Sequence, residues 1–416
     1  MYTLISTLFI CLQTLCGSCC SCCQAKAERP VMNQKQMTEA VNGFGFDVFK
    51  KTATSITAEA DNSAGAGKQG KNVFISPSSL AMALAMTAGG AEGATLDCML
   101  KTLGFETADK KQASSYFKKL AEDLSKADPD CAMEIANSIW FHNALTLKDS
   151  FTKDAATYYD AIATARDFNS PATVAEINRW CSDHTNGKIP TIVEKLDAGL
   201  VMALLNALYF KGSWAFDWSS TIKHDFTDYD AKVEKMDMMR CSSSFLYGED
   251  DSFRVVELPY GNGSFVMDVI LPKQEGCTGA EFDSAVTKMN GARWKALEAS
   301  MDFGRVAVTL PKFTMEYDTE LTEALSDMGM ARAFTNAADF SGISNTPLKI
   351  GMVKQKTFVD VNEKGTEAAA VTMIGMKTTA VGPAVQTKVF IADRPFIFVL
   401  RECSTRAVLF VGQKVR

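Results

Sequence analysis

Glu363-Lys364-Gly365-Thr366-Glu367-Ala368-Ala369-Ala370-Val371-Thr372 is the most informative run of residues in the chain. It has the pattern of a β-strand that lacks an obvious partner and carries little side-chain bulk. Successive side chains of a strand point to opposite faces, so Thr366 shares its face with uncharged residues. These are Ala368, Ala370, Thr372, Ile374, Met376 and Thr378. Glu367 and Lys377 fall on the other face, and no proline interrupts the run before Pro383. The pattern predicts a strand that can enter a sheet; an Ala-rich surface loop or a short helix is the alternative.

Further runs of residues accompany this stretch in a recognisable order along the chain. They are Asn72–Ser79, Asn206–Trp214, Leu310–Phe313, Ala338–Ile343 and Phe390–Phe398. Together with the Glu363 run they resemble the landmarks of the serpin family, the serine protease inhibitors. The resemblance extends over nearly the whole chain after its first residues.

The resemblance implies an α+β serpin fold, with a large central, mostly antiparallel sheet, surrounding helices and an exposed reactive loop at about residues 363–389. The chain has 416 residues, more than the usual size of about 100–200 residues for one domain. It nevertheless shows no Pro-rich or Ser-rich linker, and its hydrophobic content of 47% is enough for a large core. We therefore expect a single serpin domain over residues 30–416.

The resemblance also assigns roles to particular residues of this chain. It implies a breach tryptophan at Trp214. The hinge of the reactive loop would consist of Glu363, Gly365, Thr366, Glu367, Ala368, Ala369 and Ala370. The shutter of the central sheet would consist of Ser76, Ser79, Asn206 and Gln355.

The implied activity is that of a suicide substrate and not that of a catalyst. A target serine endopeptidase, or a cysteine protease, would cleave the loop, and insertion of the cleaved loop into the sheet would trap the acyl-enzyme as a covalent 1:1 complex. Counting forward from Glu363 by the family's usual spacing places the reactive bond at Thr379-Ala380, which suits an elastase-like protease. Lys377-Thr378 would suit a trypsin-like protease. Counting back from Pro395 would place the bond nearer Val381 to Ala384.

The shutter departs from the family pattern at one position. Many serpins have a histidine where this chain has Gln355. An amide can donate and accept hydrogen bonds, but it cannot change its charge near neutral pH as histidine does. We expect Ser76, Ser79 and Asn206 to be its partners, and we expect the shutter to work with little pH dependence between about pH 5 and 8.

Composition and motifs argue against several other functions. The net charge of −6 and the lack of a basic stripe disfavour a nucleic-acid partner. The three histidines, His142, His184 and His224, lie in no nucleophile or metal motif. We therefore expect surface or capping roles for the histidines, with no catalytic residue and no metal site. We also expect no cofactor and a monomeric chain. A scattered Ser-His-Asp triad remains an alternative at the level of sequence.

The first residues have the pattern of a leader segment. The apolar run Tyr2 to Leu15 is of signal-peptide length, and a cluster of cysteines follows it: Cys16, Cys19, Cys20, Cys22 and Cys23. We expect residues 1–23 to be a signal peptide or a lipoprotein-type leader. The protein would then be secreted, or it would be lipid-anchored at the cell surface through these cysteines. The leader lacks the usual basic residues before Lys26.

Two other functions compete with inhibition. One is a non-inhibitory serpin that acts as a binding protein or chaperone, although such a hinge would usually carry charge or proline on its buried face. The other is a surface-anchored hydrolase or binding lipoprotein in which the serpin landmarks are purely structural.

Hydrophobic periodicity predicts several local elements. Met37 to Thr52 is predicted to be an amphipathic helix, and Ala58 to Gly70 is predicted to be a flexible loop. The runs Glu134 to Phe141 and Val201 to Phe210 have the pattern of strands covered on both faces. Phe253 to Pro272 is predicted to form a hairpin that turns at Gly261–Gly263.

The cysteines beyond the leader are scattered, and in a chain of this size we expect buried thiols and no essential disulfide. Titration of the denatured, unreduced protein with a thiol reagent should detect the following six as free thiols: Cys98, Cys131, Cys181, Cys241, Cys277 and Cys403. Recovery of these thiols only after reduction would contradict the prediction.

Overall fold

The computed structural model describes residues 32–62, 70–197, 199–366 and 386–416. Within these ranges the helices, in chain order, are α1 (Gln34–Asn62), α2 (Pro77–Ala88), α3 (Gly93–Thr102), α4 (Lys110–Ala127), α5 (Asp149–Tyr159), α6 (Pro171–Asp183), α7 (Gly279–Lys288), α8 (Gly291–Ala299) and α9 (Thr322–Leu325). A π-helical turn, Ser326–Met330, and a 3₁₀ turn, Ala331–Phe334, follow α9.

The strands alternate with these helices along the chain. They are β1 (Val73–Ile75), β2 (Ala132–His142), β3 (Ile162–Arg166), β4 (Met202–Ser213), β5 (Ser220–Thr227), β6 (Val233–Glu249), β7 (Phe253–Tyr260), β8 (Phe265–Pro272), β9 (Asp302–Pro311), β10 (Phe313–Glu320), β11 (Met352–Asn362), β12 (Gly365–Thr366), β13 (Lys388–Ile391), β14 (Phe396–Glu402) and β15 (Val408–Lys414).

A six-stranded sheet forms one layer of the molecule, in the order β10-β11-β12-β4-β2-β3. Most of its pairings are antiparallel; β2 with β3 and β11 with β4 are parallel. The parallel contact joins Met352–Thr357 of β11 directly to Ala203–Leu208 of β4. Because β11 and β4 still touch, this sheet has not accepted a full additional strand between them.

The second sheet has nine strands in the order β1-β15-β14-β8-β7-β6-β9-β13, with β5 paired to β6. Together with the helices, the two mostly antiparallel sheets give the α+β class predicted from the sequence. The predicted hairpin is confirmed, because β7 and β8 pair antiparallel from Phe253↔Pro272 to Tyr260↔Phe265. Gly261 and Gly263 have positive φ angles of 46° and 90° in the turn, a conformation that favours glycine.

The core lies between the two sheets and beneath the helices. Every residue of α2 is buried, which explains its small and apolar composition. The strand predictions for Glu134 to Phe141 and Val201 to Phe210 are confirmed by β2 and β4, except that Val201 precedes β4. The helix predicted over Met37 to Thr52 lies within α1.

The loop predicted from Ala58 to Gly70 is wrong over its first part. Helix α1 continues to Asn62, because alanine and glutamate in this part of the chain are good helix formers. The rest of that prediction, at residues 63–69, lies outside the described residues. Among the described helices, none is long and apolar enough to cross a membrane.

Candidate functional site

The start of the Glu363 run lies in the six-stranded sheet. Gly365 and Thr366 form β12, which pairs antiparallel with β11 on one side and with β4 on the other. The expectation of a strand without a partner is therefore wrong for these two residues, because they fill the space where β4 and β11 diverge. Thr366 is 1% exposed, and Gly365 is buried as well. Ala368 and Ala370, which share the face of Thr366 by strand parity, lie outside the described residues.

Gly365 occupies a position at which only glycine fits. Its φ angle is +142°, and a Cβ atom there would lie 2.0 Å from the carbonyl oxygen of Gly212. A substitution would therefore combine an unfavourable backbone conformation with a clash against the backbone of β4. Glycine at this point allows the chain to turn into the sheet immediately after Asn362, the last residue of β11.

An aromatic pair lies beside β12. Trp214 stacks on Tyr260 with ring centroids 4.3 Å apart, and its indole Nε1 donates to the carbonyl oxygen of Asn362 at 2.8 Å. The hydroxyls of Tyr260 and Thr366 are 2.6 Å apart. Trp214, assigned to the breach from the sequence, therefore lies at the point where the hinge leaves β11 and enters the sheet.

Glu363 is fixed outside the sheet by two polar partners. Its carboxylate forms an ion pair with Lys312 and accepts a hydrogen bond from Thr221 Oγ1 at 2.6 Å. Partial burial opposes ionisation, but the hydrogen bonds from Lys312 and Thr221 outweigh it and lower the pKa of Glu363 to about 2. The carboxylate therefore stays charged at any pH near neutrality.

The predicted shutter residues lie together in one buried cluster. Gln355 Oε1 accepts from the backbone N–H of Ser76 at 2.8 Å, and Gln355 Nε2 donates to the Ser76 carbonyl oxygen at 3.0 Å. The same Nε2 donates to Asn206 Oδ1, and Asn206 Nδ2 donates to Ser79 Oγ. These contacts join β11, β4 and the start of α2, with no ionisable group among the side chains that take part.

Three elements position this cluster. Ser76 immediately precedes α2, and its hydroxyl donates to the carbonyl oxygen of Leu409 in β15 at 2.6 Å. Gln355 and Asn206 are opposite each other in the parallel pairing of β11 with β4. Their side-chain hydrogen bond therefore spans the line along which the two strands would have to separate.

The structure adds residues that the sequence reasoning missed. Asn137 of β2 accepts from Asn206 Nδ2 at 2.5 Å and so extends the shutter cluster by one strand. It was detectable as a polar residue next to Ser138 in the middle of the mostly apolar run Glu134 to Phe141. No pattern in the sequence identifies Lys312 and Thr221 as the partners of Glu363, because both are far from Glu363 along the chain.

Other predicted residues lie outside the described residues. These are the remaining hinge residues Glu367, Ala368, Ala369 and Ala370, both reactive bonds at residues 377–380, and the leader at residues 1–23. Within the described part of the chain, no group of three or more His, Cys, Asp or Glu side chains is placed to hold a metal ion.

The three histidines make local contacts to the backbone. His184 caps the end of α6, and its Nδ1 lies 2.8 Å from the Trp180 carbonyl oxygen. His142 Nδ1 accepts from the N–H of Ala144 at 3.1 Å, and His224 Nδ1 lies 2.8 Å from the carbonyl oxygen of Asp225.

Comparison with known proteins assigns this architecture to a family. Residues 39–416 match the family model described as Serpin (serine protease inhibitor). An uncharacterized serpin-like protein of Methanosarcina acetivorans is 31% identical over 385 residues, which are 90% of this chain and 86% of that protein. Neuroserpin of Homo sapiens is 31% identical over 359 residues, 82% of this chain and 85% of neuroserpin.

Solved structures agree with the sequence comparison. The thermophilic serpin tengpin in its native state superposes with a TM-score of 0.79 at 31% identity, covering 92% of this chain and 95% of tengpin. Human thyroxine-binding globulin in complex with its hormone gives a TM-score of 0.80 at 25% identity, covering 92% and 99%. The chain belongs to the serpin family and has the serpin fold.

The shutter cluster should contribute measurably to stability. Replacing Gln355 with leucine would leave the buried N–H of Ser76 and Oδ1 of Asn206 without their present partners. An unsatisfied buried polar group costs about 1–3 kcal/mol, so the Gln355→Leu variant should lose about 2–5 kcal/mol of unfolding free energy. Urea denaturation followed by circular dichroism measures this loss.

The control makes the same substitution at Gln274, which is exposed. The Gln274→Leu variant should change the unfolding free energy by no more than about 0.5 kcal/mol. Equal denaturation midpoints for the two variants would contradict the role assigned to Gln355.

Proposed function

We propose that this serpin is an irreversible inhibitor of serine endopeptidases, which it traps as acyl-enzymes by inserting its cleaved loop into the six-stranded sheet. The protease serine would attack the carbonyl carbon of Thr379. The amine of Ala380 would leave with a proton, and an ester would link the enzyme to the new carboxyl end of the loop. Insertion of the loop would then carry the protease away and distort its active site before water hydrolyses the ester.

The observation that carries this proposal is the position of Gly365 and Thr366 between β4 and β11. These two residues already form the pairings that the start of an inserted strand would make, and the buried hydroxyl of Thr366 has a hydrogen-bond partner in Tyr260. The next residues on the same face by parity, Ala368 and Ala370, are small and uncharged. No charged group on this face would have to be desolvated as the strand advances.

The register of β12 links the hinge to the shutter. Thr366 pairs with Gly212 of β4 and with Val361 of β11. Continuing both pairings along the inserting strand would place Thr372 opposite Asn206 and Gln355. A threonine hydroxyl donates and accepts, so Thr372 could replace the Gln355–Asn206 hydrogen bond that insertion must break. This match between loop and shutter supports insertion as a built-in reaction of the chain.

The energetics of the sheet favour the same reaction. Insertion would break the parallel contact of six residues on each strand between β4 and β11, and it would form two antiparallel ladders in its place. Antiparallel pairing is slightly more stable per residue than parallel pairing. The native form would then be kinetically trapped, with cleavage of the loop releasing the strand.

We also propose a target protease and a location. Thr379 before the reactive bond fits an elastase-like specificity pocket, and cleavage at Lys377 instead would fit a trypsin-like pocket. The leader pattern at residues 1–23 supports secretion. The alternative location is the cell surface, with lipid anchoring through the cysteines of the leader.

Incubation with an elastase-like and a trypsin-like serine protease tests the proposal. We expect a covalent 1:1 complex that survives denaturing electrophoresis, together with a released C-terminal fragment identified by mass spectrometry. A fragment that begins at Ala380 places the bond at Thr379, and one that begins at Thr378 places it at Lys377. Cleavage of the loop without a covalent complex would show a substrate and would contradict the inhibitory function.

A proline in the inserting segment should block trapping without preventing cleavage. The Ala370→Pro variant removes one backbone N–H from the new strand, in the middle of a sheet where proline is not tolerated. We expect the fraction of protease trapped as complex to fall at least about tenfold. An increase of about 1.4 kcal/mol in the activation free energy of insertion is enough to slow insertion tenfold. The ratio of complex to cleaved inhibitor on denaturing gels measures the effect.

The chain offers a control in Gln386→Pro. Gln386 is exposed and lies beyond every predicted position of the reactive bond, so this variant should trap protease as the unmodified chain does. Undiminished trapping by Ala370→Pro would overturn the insertion mechanism.

A further inference from the structure

A buried cluster of charges lies in the nine-stranded sheet, away from the hinge and the shutter. Its centre is Arg401 of β14, whose side chain is 5% exposed. Three carboxylates from three different elements surround the guanidinium: Asp268 of β8, Glu257 of β7 and Glu298 of α8. None of these residues belongs to the six-stranded sheet in which loop insertion is proposed.

The contacts to Arg401 are close and unequal. Its Nε donates to Asp268 Oδ2 at 2.7 Å, its Nη2 forms an ion pair with Glu257, and its Nη1 lies 3.5 Å from Glu298 Oε1. The guanidinium also lies over the ring of Trp294, 6.0 Å from its centroid. Asp268 is completely buried, and the side chains of Glu257 and Glu298 are only 13% exposed.

Glu257 and Asp268 face each other directly. They are paired residues in the antiparallel ladder between β7 and β8, so their side chains project from the same face at cross-strand distance. Like charges in this arrangement repel each other. Arg401 lies on the adjacent strand and is shared by both carboxylates.

The charges of the cluster do not balance when every group is ionised. Three carboxylates surround one buried guanidinium, which leaves two negative charges in excess. Arg406 is the second cation, but it is 58% exposed and lies 3.8 Å from Glu298, not from Asp268. The Cys403 thiol also lies near, 3.8 Å from Arg401 Nη1. Nearby on α1 and α8, Lys295 is paired with Glu39, and Lys35 lines the small cavity next to Glu298.

One atom of the cluster lacks a partner. Asp268 Oδ1 is buried and accepts no hydrogen bond from any described residue. An ionised carboxylate oxygen in this position would lose its hydration without compensation. Burial, followed by the charges of Glu257 and Glu298, raises the pKa of Asp268 to about 7, even though Arg401 acts in the opposite direction.

We propose that the Arg401 cluster is a proton-linked stability switch: the native protein holds one proton on Asp268 below neutral pH and releases it as the pH rises. The proton resides on Oδ1, the oxygen that Arg401 does not contact. Its release leaves two opposed carboxylates to share one guanidinium in a buried site. The native fold is therefore more stable in mildly acidic than in mildly alkaline solution.

The sign follows from proton binding in the two states. An unfolded aspartate has a pKa of about 3.9, so it has lost its proton at pH 5. The folded chain keeps the proton until the pH passes about 7. Over a pH range in which the folded state binds more protons than the unfolded state, the unfolding free energy decreases as the pH rises. A difference of one proton changes the unfolding equilibrium constant about tenfold per pH unit. Between pH 5 and pH 8 the unfolding equilibrium constant should therefore rise about 100-fold.

Urea denaturation of the full chain at pH 5 and pH 8 tests the switch, with two matched variants. Asp268→Asn imitates the protonated side chain, so this variant should fold. Its unfolding equilibrium constant should not show the rise of about 100-fold between pH 5 and pH 8 that the release of one proton predicts. Asp318→Asn, at a surface pair in which Asp318 is 42% exposed, should keep the increase of the unmodified protein. Equal pH dependence for Asp268→Asn and the unmodified chain would overturn the proposal.

A spectroscopic measurement keeps the proposal testable if Asp268→Asn does not fold. Infrared spectroscopy of the unmodified protein in D₂O should detect the carbonyl stretch of a protonated carboxylic acid at pH 5.5, and this band should disappear by pH 8.5. Glu298→Gln removes one repelling charge, so the band should disappear at a lower pH in that variant. Absence of the band from the unmodified protein at pH 5.5, or an unchanged midpoint in Glu298→Gln, would contradict the assigned proton.

Discussion

The parallel pairing of β4 with β11 is the interaction on which the rest of the molecule depends. It holds the six-stranded sheet closed over Met352–Thr357, while the same two strands have separated at one end to admit Gly365 and Thr366. Parallel pairing is the weaker type of ladder, and it lies where an additional strand would have to enter. Under the proposed mechanism this weaker ladder is the contact that the inserted loop would replace.

The two sheets use polar groups in different ways. In the six-stranded sheet the contact between β4 and β11 is joined by amides and hydroxyls, with Gln355 and Asn206 at the centre. These groups keep the same charge at every physiological pH, so their hydrogen bonds depend only on geometry. In the nine-stranded sheet the side chains around Arg401 are ionisable carboxyl groups, so their energy depends on proton concentration. The hydrogen bonds between the Gln355 and Asn206 side chains are thus neutral, whereas the cluster around Arg401 carries buried charge.

The sequence predicts most strongly what depends on local periodicity. Strict alternation of side chains along a strand predicts which face of the Glu363 run is uncharged. Thr366 on that face is buried, but Gly365 on the other face is buried too, so the parity stays a prediction for the residues beyond Thr366. The hairpin at Gly261–Gly263 follows from its glycines, because glycine accepts the positive φ angles of the turn. The loop prediction at Ala58 fails where helix propensity and a small-residue composition compete. Each of these results concerns neighbours in the chain.

Contacts between distant residues are much harder to predict. Glu363 contacts Lys312 and Thr221, and Arg401 contacts Glu257 and Asp268. The members of each contact are far apart in the chain and become neighbours only when the sheets form. No spacing within either strand signals the partner. Asn137 is an intermediate case, since a polar residue in an apolar strand suggests a buried hydrogen bond without identifying Asn206.

Trp214 gives the molecule an internal optical probe. Its indole stacks on Tyr260 and donates to the carbonyl oxygen of Asn362, at the end of the strand from which the hinge departs. Indole emission depends on the polarity and the hydrogen bonding of its surroundings. Tyr260 belongs to β7 of the other sheet, whereas Asn362 belongs to β11. Separation of β4 from β11 at this end would therefore break the hydrogen bond of the indole and leave its stacking partner in place, so the opening of the sheet would change the fluorescence of the unlabelled protein.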